Sequence, residues 1–210
     1  EYEVECLQAI NNNFAVIYTP VESKLNELFE LYNYRAIPKI LGLLDTSNME
    51  ASGITRLRRQ PYLSLGGQGV IVGFVDTGID YTHPVFKNAD NTTRILSIWD
   101  QTDRTGEPPQ DLGFGSEYTK EQIDQALQSE NPLDLVPTTD ELGHGTFMAG
   151  IAAGNEDTAN DFTGAAPLAN LVVVKLKQAK EISRNYFKIT KYAVCFSESD
   201  IMLGIRYLID

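Results

Sequence analysis

Val70-Ile71-Val72-Gly73-Phe74-Val75-Asp76-Thr77-Gly78 decides the fold class of this chain. Its first six residues are β-branched, aromatic or glycine, with no polar alternation. Such a run reads as a strand covered on both faces, the habit of parallel sheets flanked by helices. The run ends on a carboxylate, Asp76. In open α/β sheets, ligands and chemistry gather at the C-terminal ends of the strands. Taken alone, an Asp-Thr-Gly is as well explained by an aspartate capping the next turn.

Downstream the same alternation of strand and helix continues. Ile95 to Trp99 reads as a strand, and Thr102 to Gly115 as a polar loop. Thr119-Lys120-Glu121-Gln122 is a capping box, which predicts a helix of about ten residues ending near Ser129. Pro132 and Pro137 bracket a further loop. Gly164 to Ala169 leads into a second buried strand, Leu171 to Leu176. Residues 178–198 are mixed, and Ser199-Asp200 precedes an apolar helix over Ile201–Ile209. Buried strands alternating with helices from residue 70 onward predict an α/β domain built on a parallel sheet with helices on both faces.

Upstream the pattern differs. Residues 2–10 and 13–19 read as two strands joined at Asn11-Asn12-Asn13. Residues 21–32 read as a helix, with Leu25, Leu28, Phe29 and Tyr32 at helical spacing, and residues 37–44 suit another strand. Residues 1–45 therefore read as a small α+β unit, too small to bury much core alone. Residues 46–65 are irregular and read as a linker, with 66–210 as the larger domain. The Arg58-Arg59 pair within the linker reads as a solvated loop.

Composition narrows the function. The formal net charge is −12 over 210 residues. Nucleic acids and anionic membranes select basic surfaces, so neither is expected as a partner. There is no apolar run long enough to span a bilayer, and no signal peptide is legible. The two cysteines, Cys6 and Cys195, do not make a disulfide scaffold.

The chain holds two histidines. His144 stands in Asp140-Glu141-Leu142-Gly143-His144-Gly145-Thr146-Phe147-Met148-Ala149-Gly150, and Gly154 follows as a stop signal. This places His144 at the start of a buried helix, where the helix dipole disfavours an imidazolium and suits a neutral base. The bland alternative is a structural histidine in a glycine-rich turn. His83 and His144 show no metal-ligand spacing, so a metal-dependent hydrolase is disfavoured. An aspartate at a sheet edge followed by a histidine 68 residues later gives the parts of a carboxylate-oriented base.

Two stretches carry a family resemblance. Val72 to Pro84 resembles the aspartate motif of the subtilisin-like serine proteases, and Asp140 to Gly150 resembles their histidine motif. The order Asp, then His, then Ser is that of the subtilisin triad. Gly164 to Leu176 is similar to the strand after the histidine helix. Ile98-Trp99-Asp100-Gln101-Thr102 and the long stretch between the motifs are similar to a clostridial subgroup that includes spore-germination proteases. The resemblance implies a subtilisin-like sheet, incomplete within these residues, preceded by part of a propeptide at 1–45. It implies that Asp76 orients His144 and that His144 acts as general base and then general acid. The implied partners are a protein or peptide substrate and the remaining half of the catalytic domain. The subgroup implies an extracytoplasmic or spore-associated setting.

The chain also departs from the family. It has no Gly-Thr-Ser turn for a nucleophile; Ser197 and Ser199 stand at a helix start, and Asn155 is a loop residue, not the oxyanion donor. The resemblance therefore implies an N-terminal part of a serine endopeptidase that is inactive alone. A scaffold that keeps the fold without catalysis is the alternative. Val85 stands where the family often has a calcium-ligating aspartate, so no calcium site or other cofactor is expected.

Overall fold

The computed structural model describes residues 6–18, 38–41, 65–157 and 162–210. The helix expected over 21–32 and nearly all of the 46–65 linker lie outside them. The chain divides into two compact units. One comprises residues 1–43, 111–113 and 178–210; the other comprises 44–110 and 114–177.

The larger unit is built on a four-stranded sheet. In chain order its strands are β4 (Ile71–Asp76), β5 (Ile95–Asp100), β6 (Ser116–Thr119) and β7 (Asn170–Lys175), in the spatial order β4-β7-β5-β6. β7 runs parallel to both of its neighbours. Helices α1 (Lys120–Leu127) and α2 (His144–Ala153) both lie in the connection from β6 to β7, and the connection from β4 to β5 carries the 3₁₀ turn Pro84–Phe86. α1 packs on β5 and β6, and α2 packs on β4. Ile79, Tyr81, Phe86, Ile95, Ile98, Ile123, Val136, Leu171 and Val173 form the buried core between these elements. The capping box forms as expected. The Thr119 hydroxyl accepts from Gln122 N–H, and the Gln122 side chain accepts from Thr119 N–H.

Three details differ from the sequence reading. β4 is not covered on both faces: Ile71 and Gly73 are exposed and its other residues are half-buried, with Ile71 57% exposed. Among the described residues β4 pairs only with β7, so it lies at an edge while β7 takes the central place. β6 is a short polar strand, antiparallel to β5, between the expected loop and the capping box, where no strand was expected, so the sheet is mixed. Six residues of the mixed segment, Glu181–Tyr186, form a further helix, α3.

The smaller unit contains an antiparallel hairpin of β1 (Cys6–Ala9) and β2 (Ala15–Tyr18), turned by the Asn-rich segment. Asn11 Oδ1 accepts from the Asn13 and Phe14 N–H groups, the side-chain-to-backbone bonding that favours asparagine in turns. β3 (Ile40–Leu41) pairs antiparallel with β8 (Phe196–Ser197). Helix α4 spans Glu198–Ile209, starting three residues ahead of the expected Ile201. Arg184 on α3 is buried and donates to the carbonyls of Ala179 and Ala193, and so gathers that segment around itself. Cys195 is a buried free thiol.

Candidate active site

The C-terminal ends of β4, β7 and β5 present three charged residues in one row. Asp76 and Asp100 are both in register with Lys175 on the strand between them. Parallel pairing puts all three at the same edge of the sheet, the edge where α/β folds collect chemistry.

Asp76 meets His144 there. His144 Nδ1 lies 2.7 Å from Asp76 Oδ1, with the two side chains 21% and 16% exposed. The same carboxylate oxygen accepts from the Thr77 N–H at 2.7 Å. A proton held on Nδ1 by this contact leaves Nε2 as the basic nitrogen of the ring. His144 is the first residue of α2, as the glycine frame predicted. Gly143, at the N-cap, has φ 76°, a left-handed conformation that costs glycine little. Gly145 solves a different problem. A Cβ there would overlap the Gly78 carbonyl oxygen and crowd the Asp76 Cβ, so only glycine lets the helix start lie against the strand end.

Two residues that the sequence reading passed over complete the junction. Thr77 Oγ1 accepts from Gly145 N–H at 2.9 Å and donates to Asp140 Oδ1 at 2.7 Å. Asp140 Oδ2 accepts from the N–H and the hydroxyl of Thr146, at 2.8 and 2.7 Å, and Oδ1 accepts from Gly143 N–H at 3.0 Å. Burial pushes the Asp140 carboxyl up. Its hydrogen bonds from Thr146, Thr77 and Gly143 outweigh that and hold it below the usual carboxylate range. The signal for Asp140 was its spacing. An aspartate three residues before a glycine N-cap can reach the unpaired N–H groups of a helix start.

Asp100 is bound differently. Its Oδ1 accepts from Thr102 N–H, the Thr102 hydroxyl and Asp103 N–H, and its Oδ2 accepts from the Thr138 hydroxyl at 2.6 Å. Lys175 Nζ stands 3.7 Å from Asp100 Oδ2 and 3.1 Å from Glu141. The other histidine, His83, is exposed and far less engaged. It caps the short 3₁₀ turn Pro84–Phe86, with Val85 N–H 3.4 Å from its Nδ1.

No group of three or more His, Cys, Asp or Glu side chains among the described residues is placed to hold a metal. At Val85 the residues do not suit calcium: the side chain is apolar, and its carbonyl accepts from the Arg94 guanidinium at 2.8 Å. No helix among the described residues is long and apolar enough to cross a membrane.

Comparison with known proteins agrees with this geometry at the level of family. The subtilase family model, Peptidase S8, matches residues 67–195. Subtilisin-like protease SBT2.2 of Arabidopsis thaliana is 31% identical over 126 residues, covering 52% of this chain and 15% of the plant protein. Subtilisin-like protease SBT2.1 of the same plant is 30% identical over 127 residues, again covering 15% of its length. The solved structure of the Clostridium perfringens CspB protease superposes with a TM-score of 0.59 at 36% identity, covering 78% of this chain and 30% of that one. The chain thus spans under a third of the length of the relatives it matches, one of them clostridial as the Ile98–Thr102 run suggested. With the family model covering well over half of its residues, the chain belongs to the subtilase family.

Proposed function

We propose that these residues carry the Asp–His part of the catalytic triad of a serine endopeptidase. The 2.7 Å contact between Asp76 Oδ1 and His144 Nδ1 carries this reading. Asp76 holds the imidazole in one tautomer and stabilises the imidazolium that forms during reaction. His144 Nε2 takes the proton from a serine hydroxyl as that oxygen attacks the scissile carbonyl, then returns it to the leaving amine. The substrate is a protein or peptide.

The nucleophile and the oxyanion donor come from sequence outside these 210 residues, which contain no Gly-Thr-Ser turn. A triad acts as a unit, so the 210 residues alone do not hydrolyse peptides. Residues 1–45 act as part of a propeptide, joined through 46–65 to the catalytic half at 66–210.

A fluorophosphonate probe, which reacts with activated serines, tests the reading. The 210-residue chain is expected to stay unlabelled. A longer polypeptide that adds the remainder of the catalytic domain is expected to label at one serine outside this segment, and His144→Ala in it is expected to abolish labelling. Specific labelling of a serine within residues 1–210, or undiminished labelling of the His144→Ala protein, would refute it.

A further inference from the structure

The first N–H groups of a helix have no partner within the helix and are ordinarily satisfied by the side chain at the N-cap. α2 has a glycine at its N-cap and no side-chain cap from that position. Its N–H groups are satisfied from elsewhere: Gly145 N–H by the Thr77 hydroxyl, and Thr146 N–H by the Asp140 carboxylate. Thr77 directly follows Asp76, and Gly145 directly follows His144. The strand end and the helix start are thus joined by two links one residue apart, Asp76 to His144 and Thr77 to Gly145. A local Ser or Thr cap would satisfy the helix equally well and leave it free to shift along the strand end. One bond between two side chains fixes a distance. A second bond beside it, from backbone to side chain, fixes an orientation.

We propose that Thr77 and Asp140 are positioning residues for the Asp76–His144 pair, setting the register in which the carboxylate meets Nδ1. Thr77 Oγ1 has one hydrogen, which it gives to Asp140, and this turns its lone pair toward Gly145 N–H. Asp140 thereby orients the Thr77 hydroxyl besides accepting from the first turn of α2. The carboxylate at the positive end of the helix dipole is stabilised there as an anion, which keeps it an acceptor. Asp80 N–H donates to the Thr146 hydroxyl at 2.9 Å, so the turn after β4 is drawn into the same arrangement. The functional meaning of this register rests on the triad reading above.

Nuclear magnetic resonance of the 210-residue chain reads the pair without any nucleophile. The proton shared by His144 Nδ1 and Asp76 is expected as one resolved resonance downfield of the amides, absent in His144→Ala. In Thr77→Val, which keeps the shape and loses the hydroxyl, that resonance is expected to move upfield or vanish by exchange with water. Thr77→Ser is expected to restore it, and Asp140→Asn to weaken it. Asp100→Asn, which lowers stability at a neighbouring strand end, is expected to leave it in place, separating positioning from general loosening. In the longer polypeptide, Thr77→Val is expected to slow fluorophosphonate labelling by about 10- to 100-fold, the cost of a misplaced catalytic group. A Thr77→Val chain with an unmoved, equally protected resonance would overturn the proposal. So would a Thr77→Ser chain no better than Thr77→Val. The triad reading fails separately, if His144→Ala leaves labelling of the longer polypeptide intact while the resonance still answers to Thr77.

Discussion

Asp76 and Asp100 are the same residue type at the same edge of one sheet, each in register with Lys175. Their surroundings separate them. Asp100 is 1% exposed, and four donors besides Lys175 converge on its two oxygens. Its contacts tie down its own loop, the loop at Thr138 and Lys175 at the end of β7, so its charge is consumed by structure. Asp76 is partly open and places one oxygen on an imidazole. An aspartate at the end of a parallel strand therefore carries no function by position alone. The donor set separates the two, and only Asp76 has an imidazole among its partners.

The widest gap between the two is expected in catalysis. In a polypeptide that includes the serine, Asp76→Asn is expected to lower kcat by about 10⁴-fold, because the wrong tautomer of His144 is then favoured. Asp100→Asn is expected to change kcat by less than about tenfold, since it touches no reacting group. Steady-state peptide hydrolysis by the two variants measures this directly. Equal losses would mean that Asp76 and Asp100 play the same part.

Stability is expected to reverse the ranking. Asp100→Ala leaves Lys175, with its side chain 8% exposed, paired with Glu141 alone and strips Thr138, Thr102 and Asp103 of their acceptor. Losing four hydrogen bonds to one buried carboxylate, with the donors left unpaired, costs about 3–5 kcal/mol. Asp76→Asn keeps the shape and gives up the equivalent of one charge-assisted hydrogen bond, about 1.5–3 kcal/mol. Urea unfolding of the 210-residue chain checks both. An Asp100→Ala midpoint no lower than that of Asp76→Asn would sink the structural assignment of Asp100.

Much of this was legible in the residues. β5 and β7 announce themselves as apolar, β-branched runs, and the capping box at Thr119 needs only four residues to be read. Asp76 and His144 were legible because each stands in a distinctive local frame. β6 was not: Ser116-Glu117-Tyr118-Thr119 has little strand character of its own and is held by pairing with β5. α3 was missed for a related reason. Its six residues organise around Arg184, whose carbonyl partners come from both sides in sequence. The openness of β4 was hidden because hydrophobicity does not tell an edge strand from a central one. Thr77 and Asp140 escaped because their roles exist only once the strand end and the helix start, 68 residues apart, have met.

Gly145→Ala probes that meeting by sterics alone. The added methyl group overlaps the Gly78 carbonyl, which is backbone and cannot swing away. The expected cost is about 1–3 kcal/mol, the range for overpacking. Because the displaced element is α2, the same substitution is expected to lengthen the Asp76–His144 contact and leave Asp100 untouched. A variant as stable as the parent would show that the close approach is not required.

The smallest effect is expected from a third carboxylate, Asp103, in the loop after β5. It is far more open to water than Asp100. Slight burial pushes its carboxyl up, but hydrogen bonds from Ser116, Tyr118 and Thr105 prevail and hold it at about 2. Its folded value is depressed, so its contribution is complete above the unfolded value of about 3.9 and is lost as pH falls toward 2. Solvent screening keeps that contribution under about 1 kcal/mol. Urea midpoints of the parent and Asp103→Asn are expected to differ slightly at pH 5 and to converge near pH 2.5. A gap of constant size across that window would mean the loop is held by the shape of Asp103 and not by its charge. Asp103 would then share with Asp100 a purely structural place, with Asp76 the one carboxylate of the three that contacts an imidazole.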